Sequence, residues 1–188
     1  TLIADVGGGS TLLTVLENGE IATSQSLRLG SIRLQEMFST SEESPQRSAA
    51  LLQQHIANTL SSLQSAVTLE EIDSFVAVGG DARFAAREVG TPTDFAELVV
   101  IDKAAFDGLV DRCERHTAEE LSRRHGLPFA EAETLNPALL VYQSLLHRTK
   151  ATQMIVSHIS MRDGLLLELA RQVTGKEDEA VATGVIHS

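Results

Sequence analysis

The sequence predicts an α/β fold around a mixed five-stranded sheet, with three antiparallel strands first and helices on both faces. Three observations lead there. Residues 1–29 read as three short β-favouring runs joined by a Gly-rich turn and an Asn-Gly turn. After them, helical periodicity alternates with short apolar runs, the order of an α/β sheet of mixed direction. A hydrophobic fraction of 43% over 188 residues supplies the core of one ordinary globular domain.

The elements follow in order. Thr1 to Val6 is an apolar run carrying Asp5, closed by Gly7-Gly8-Gly9. Ser10 to Leu16 alternates, Glu17-Asn18-Gly19-Glu20 turns, and Ile21 to Leu29 returns. Gly30 to Phe38 reads as a short helix. Ser44-Pro45 starts a second, with Ala49, Leu52, Ile56, Leu60 and Leu63 as its buried stripe. Phe75 to Val78 is a buried strand, Gly79-Gly80 closes it, and Asp81 is placed to cap the next helix. Leu98 to Ile101 is a further strand. Helices follow around Ala104 to His116 and Ala118 to His125, and Asn136-Pro137 is read as the start of one reaching Arg148. Met154 to Val156 is the last strand, and Ser160 to Asp163 matches a capping box for a helix through Val173. These runs contain six strand-like segments, one more than the expected sheet. Residues 1–174 read as one domain, and 175–188 as a charged, small-residue tail expected to be disordered.

Composition excludes several functions. No run of eighteen apolar residues is present, so no membrane-spanning helix is expected. The opening residues lack the features of a signal peptide, and a start on a strand without Met suggests a trimmed chain. The single cysteine, Cys113, forms no internal disulfide, reads as a partly buried helix residue, and fits a reduced, cytoplasmic compartment. A net charge of -11 argues against duplex nucleic acid as a partner. It also means that a polyanion site must rely on metal ions, backbone N–H groups or basic residues from elsewhere.

Two loops carry chemistry. In Asp5-Val6-Gly7-Gly8-Gly9-Ser10-Thr11, glycines allow close approach to a phosphate and aim several N–H groups at it. Ser10 and Thr11 add hydroxyls, and Asp5 can hold a metal ion or orient water. The competing reading is a Gly-rich hairpin with no ligand. In Val78-Gly79-Gly80-Asp81-Ala82-Arg83, a strand runs through Gly-Gly into a helix whose first N–H groups face an anion. Asp81 opposes that anion and Arg83 offsets it.

Taken together, DVGGGST, LRLGSIRL, VAVGGDAR, GLPFAEAETLNPALLVYQSLL and TQMIVSHISMRDGLLLELA resemble the motifs of the exopolyphosphatase/guanosine pentaphosphate phosphatase (Ppx/GppA) family. The resemblance spans about Thr1 to Ala170 and is to the second lobe of that family's core. It implies an actin-like (ribonuclease H-like) lobe and release of terminal phosphate from inorganic polyphosphate or guanosine pentaphosphate, with Mg²⁺. Carried onto this chain, it makes Gly7, Gly8, Gly9, Ser10 and Thr11 the phosphate loop and Asp5 the metal- or water-holding carboxylate. Gly79 and Gly80 become cleft residues near a further phosphate or base, and Arg33 and Arg83 candidate basic contacts. It assigns the other phosphate loop and the catalytic glutamate to a first lobe ahead of Thr1. Loss of that lobe's cover motivates an expectation of self-association.

The sequence departs from the family pattern at Asp81, at Glu131-Ala132-Glu133, and at Ser157-His158-Ile159-Ser160, which removes positive charge and glycine freedom near the implied cleft. Two other readings therefore stand beside the hydrolase: a polyphosphate- or guanosine-polyphosphate-binding regulatory module without catalysis, and an actin-like filament protein. His158 is a candidate polar contact, since it follows the last strand. The other five histidines, at His55, His116, His125, His147 and His187, show no metal-ligand spacing. A serine triad with motif support and a GxxxxGK[ST] loop are both missing.

Overall fold

Asn18 and Gly19 sit at φ 52° and 85°, the left-handed pair that an Asn-Gly hairpin turn demands, and they join the second and third strands of the sequence. A computed structural model of the chain describes residues 1–38, 44–61, 68–159, 163–166 and 169. Strand β1 is Leu2–Val6, β2 Thr11–Glu17 and β3 Glu20–Leu27. Helices α1 (Ser31–Phe38) and α2 (Pro45–Ser61) follow, then β4 (Phe75–Val78) and α3 (Gly80–Val89). The two-residue β5 (Thr91–Pro92) and β6 (Leu98–Asp102) precede α4 (Lys103–Cys113), α5 (Ala118–His125), α6 (Phe129–His147) and β7 (Gln153–Ser157).

The strands form one sheet of order β3-β2-β1-β4-β7-β6-β5. It has seven strands rather than the expected five. The β3-β2-β1-β4-β7 part matches the expected sheet, with an antiparallel meander running into parallel β1, β4 and β7. The two strands beyond β7 run antiparallel; β6 is the run read from sequence as Leu98 to Ile101, and β5 has no counterpart in that reading. There β6 covers an edge that β7 would otherwise leave open, and β5, short and carrying Pro92, offers little for further pairing.

Along β1 and β4 the burial alternates, so Leu2, Ala4, Val6, Phe75 and Ala77 point into one core while the residues between them are half-buried. Helix α6 anchors that core. Its Leu135, Ala138, Leu139, Leu140, Val141, Tyr142, Leu145 and Leu146 are almost completely buried, and it touches α1, α2, α3, α4, α5 and β1.

Two helix starts differ from the sequence reading. Helix α6 begins at Phe129 and passes through Pro137 instead of starting there. A proline inside a helix forfeits one backbone bond and crowds the preceding turn. Here Pro137 opens the fully buried apolar stretch 137–142 of the helix, and tertiary packing outweighs the local preference. Helix α3 is capped by Gly79, not Asp81, which lies in the first turn instead. The helix expected over 160–173 falls mostly outside the described residues, although 163–166 are helical. The tail at 175–188 lies outside them entirely. Among the described residues, no helix is long and apolar enough to cross a membrane.

Candidate functional site

Because β1, β4 and β7 are parallel, their carboxyl ends meet along one edge, where ligands of open α/β sheets bind. The register sets Asp5 beside Val78 and Val78 beside Ser157. The loop after β1, the turn after β4 and the loop after β7 therefore share one rim.

The Gly7–Ser10 loop closes on itself through Gly7 N–H to the Ser10 carbonyl at 2.9 Å. Its other carbonyls turn away from the rim onto the start of α1. Gly7 O accepts from Ser31 N–H at 3.0 Å, Gly8 O from Arg33 N–H at 3.1 Å, and Gly9 O from Arg33 Nε at 3.1 Å. With the carbonyls committed, the N–H groups of Gly8, Gly9 and Ser10 are left without a backbone partner among the described residues. Gly9 and Ser10 are exposed. Such a set of outward amides is an anion-binding concavity. The packing also explains two glycines. A Cβ on Gly30 would collide with the backbone of Gly8, Gly9 and Ser10, and one on Gly8 would lie 2.6 Å from Ile32 Cδ1.

Thr11 is placed differently from the rest of the predicted set. It is fully buried, and its hydroxyl donates to Leu29 O at 2.6 Å. It ties β2 to the segment leading into α1 and presents nothing to a ligand. Arg33 lies at the loop but uses its Nε to brace Gly9.

At the second corner Gly79 has φ 128° and ψ 170°, a conformation essentially confined to glycine. Space adds a second requirement: a Cβ there would lie 3.0 Å from the Tyr142 hydroxyl, 3.4 Å from Val6 O and 3.8 Å from Asp5 Oδ1. Tyr142 reaches up from α6 and bridges the ends of β1 and β4. Its hydroxyl donates to Val78 O at 2.5 Å and accepts from Val6 N–H at 3.3 Å. Burial pushes its ionisation far above the usual phenol range. Sequence reading missed this residue. The available signal was that the chain's only tyrosine stands in an apolar helix, where a buried hydroxyl must find partners.

Asp5 is raised above the ordinary carboxylate range by burial, and the nearby Arg83 guanidinium works in the opposite direction. Asp81 is pushed up to about 6, chiefly by burial and then by Glu131, while a bond to its own backbone and Arg83 oppose the rise. Gly80, Asp81, Arg83, Arg87 and Glu131 are among the residues around a cleft of about 430 Å³ between α3 and α6. The structure thus brings Asp5, Gly7, Gly8, Gly9, Ser10, Arg33, Gly79, Gly80 and Arg83 to one rim. His158 is exposed at the end of β7 with its N–H bonded to Glu97 O at 2.9 Å.

No group of three or more His, Cys, Asp or Glu suited to a metal ion occurs among the described residues. One carboxylate at the rim is nonetheless what Mg²⁺ uses when phosphate oxygens and water complete its shell, so Asp5 fits that ion.

The model of the Ppx/GppA phosphatase family matches residues 1–173. No curated protein matches. Among solved structures, the chain is similar to the Aquifex aeolicus Ppx/GppA family member, with 20% identity and a TM-score of 0.74 over 92% of this chain and 56% of that one. It is also similar to an exopolyphosphatase from Cytophaga hutchinsonii, with 20% identity and a TM-score of 0.76 over 89% of this chain and 56% of that one. The chain therefore spans little more than half the length of these proteins.

Proposed function

The chain belongs to the Ppx/GppA phosphatase family, and from that premise we propose that it is the second lobe of a phosphoanhydride hydrolase releasing terminal phosphate from inorganic polyphosphate or guanosine pentaphosphate. The observation that carries the proposal is the Gly7–Ser10 loop, whose Gly7, Gly8 and Gly9 carbonyls are taken up by α1 and whose Gly8, Gly9 and Ser10 N–H groups are left for a ligand. Asp5 sits beside it. Fixed amides aimed at phosphoryl oxygens stabilise charge in transfer without reorganising, which is most of what phosphoryl transfer asks of a protein.

In this reading the loop amides grip the terminal phosphates, with Arg33 holding the loop's shape. Tyr142 holds β1 and β4 together so that Asp5 and the Gly79-Gly80 corner keep their spacing. Asp5 would hold Mg²⁺, which when bound supplies countercharge to the phosphate oxygens. The base that activates water belongs to the other lobe in the family resemblance, so this lobe alone binds without hydrolysing. The compartment implied is the reducing cytoplasm. The test is phosphate release by the full-length natural protein with Mg²⁺, on polyphosphate and on guanosine pentaphosphate, beside its Asp5→Asn variant. Release that collapses in the variant supports the hydrolase. Equal release by both removes Asp5 from the site.

A second reading is favoured by one observation: two carboxylates, Asp81 and Glu131, face each other electrostatically at the Gly79-Gly80 corner. That corner is poorly suited to a highly charged substrate, and a binding module without turnover fits it. Saturable binding of a guanosine polyphosphate by the full-length protein, with no phosphate released, would select this alternative.

A further inference from the structure

The hairpin loop between β5 and β6 stands on the same rim as the Gly7–Ser10 loop. Register carries that rim across the sheet: Asp5 lies beside Val78, Val78 beside Ser157, and Ser157 beside Leu98. The loop 93–97 enters β6 at Leu98, so it lies three strand spacings from Asp5, about 14 Å.

This loop is short, braced and tipped by an aromatic ring. The Thr93 hydroxyl accepts from Phe95 N–H at 3.1 Å, and its own proton faces Phe95 O and Leu98 O, each at 3.0 Å. Thr93 N–H donates to Leu98 O at 3.4 Å and Leu98 N–H to Phe95 O at 3.0 Å. From the end of β7, His158 N–H donates to Glu97 O at 2.9 Å. On this frame Phe95 is 72% exposed, more than any other large apolar side chain among the described residues. Its ring meets no other ring and no cation there. Single apolar side chains in water are ordinary on a surface. What sets Phe95 apart is that the backbone beneath it is already ordered, so a contact on the ring costs little further freedom.

Charge decides which part of a ligand fits at each end of the rim. Asp94 and Glu97 flank the ring in sequence, and residues 91–98 contain no Lys or Arg. Phosphate is repelled here and attracted to the free Gly8, Gly9 and Ser10 N–H groups at the other end. A neutral base suits an aromatic ring, and N–H donors on its edge suit carboxylates. We propose that Phe95 stacks the base of a nucleoside polyphosphate whose phosphates lie on the Gly7–Ser10 loop. The base contact rests on that loop being the phosphate site. Of the two substrates named above it selects guanosine pentaphosphate, since inorganic polyphosphate has no group for the ring.

The probes are guanosine triphosphate and inorganic tripolyphosphate, titrated calorimetrically into the 188-residue chain. Phe95→Ala, an exposed change, should weaken guanosine triphosphate about tenfold and leave tripolyphosphate unaltered. Phe95→Trp supplies the chain's only tryptophan. Its fluorescence should be quenched saturably by guanosine triphosphate but not by tripolyphosphate, and excess tripolyphosphate should reverse the quench. Equal affinity of the natural chain and Phe95→Ala for guanosine triphosphate, with tripolyphosphate still bound, would overturn the base contact and leave the phosphate loop standing. A quench that tripolyphosphate cannot reverse would put the nucleotide's phosphates elsewhere and overturn the shared rim. Binding of neither probe would remove the phosphate loop itself, and the base contact with it.

Discussion

At the scale of single residues, the rim is held by groups that never touch a phosphate. Tyr142→Phe keeps the ring and removes one oxygen, leaving Val78 O and Val6 N–H without their partner at the ends of β1 and β4. Leaving buried backbone groups unpaired costs about 1–3 kcal/mol, to be read as a lower denaturant midpoint at unchanged slope. Gly30→Ala acts through space: its Cβ meets loop backbone, which cannot rotate away as a side chain would. It should displace the Gly7–Ser10 loop and weaken binding of inorganic tripolyphosphate, while a helix-favouring change alone would do neither. Asp81 sets a pH dependence. Its folded-state value of about 6 lies above the ordinary 3.8, so the folded state holds the proton more tightly. The protein is favoured by this group below about pH 4 and loses that contribution as pH rises through 6. Asp81→Asn should therefore raise stability at pH 7.5 by about 1–2 kcal/mol after allowance for partial exposure, and change it little at pH 4. Chemical denaturation at the two pH values checks this, and an equal gain at both would remove the carboxylate's charge as the cause.

At the scale of elements, the legible parts were those where local chemistry and tertiary structure agree. The Asn18-Gly19 turn, the Ser44-Pro45 helix start and the Ala49, Leu52, Ile56 and Leu60 stripe of α2 appear where sequence places them, while Leu63 lies outside the described residues. Helix α6 was misread at its start because Pro137 is a strong local signal that burial of the stretch 137–142 overrides. The edge strand β5 carries no pattern of its own at two residues, and its pairing exists only once β6 is in place. At the site, the glycines and Asp5 were readable, since close backbone approach and a lone carboxylate leave marks in sequence. Tyr142 and the true role of Thr11 were not, because both depend on partners more than fifteen residues away. Helix α5 gives the element-scale prediction. Thr117 accepts from Glu120 N–H at 3.3 Å while Glu120 returns a bond to Thr117 N–H at 2.9 Å, and Gly126 ends the helix in the left-handed conformation. Thr117→Ala removes half of that capping box and should cost about 1 kcal/mol by chemical denaturation.

At the scale of the whole molecule, the charge distribution opposes the proposed ligand. Three amides and a few arginines attract phosphate at short range, but the chain as a whole carries -11. An approaching polyanion meets the net charge first, because the field at a distance reflects the sum and only contact reveals the local donors. Salt separates the two contributions. Between 0.01 M and 0.15 M ionic strength the screening length falls from about 30 Å to about 8 Å, which suppresses the long-range repulsion before the contacts. The association rate of inorganic tripolyphosphate should therefore rise with added NaCl over that range, the reverse of a basic phosphate-binding protein. Stopped-flow measurement with this 188-residue chain, which carries that net charge, decides the matter. A rate that falls with salt would mean that the basic residues of the rim govern the approach, and that the acidic surface lies away from the ligand's path.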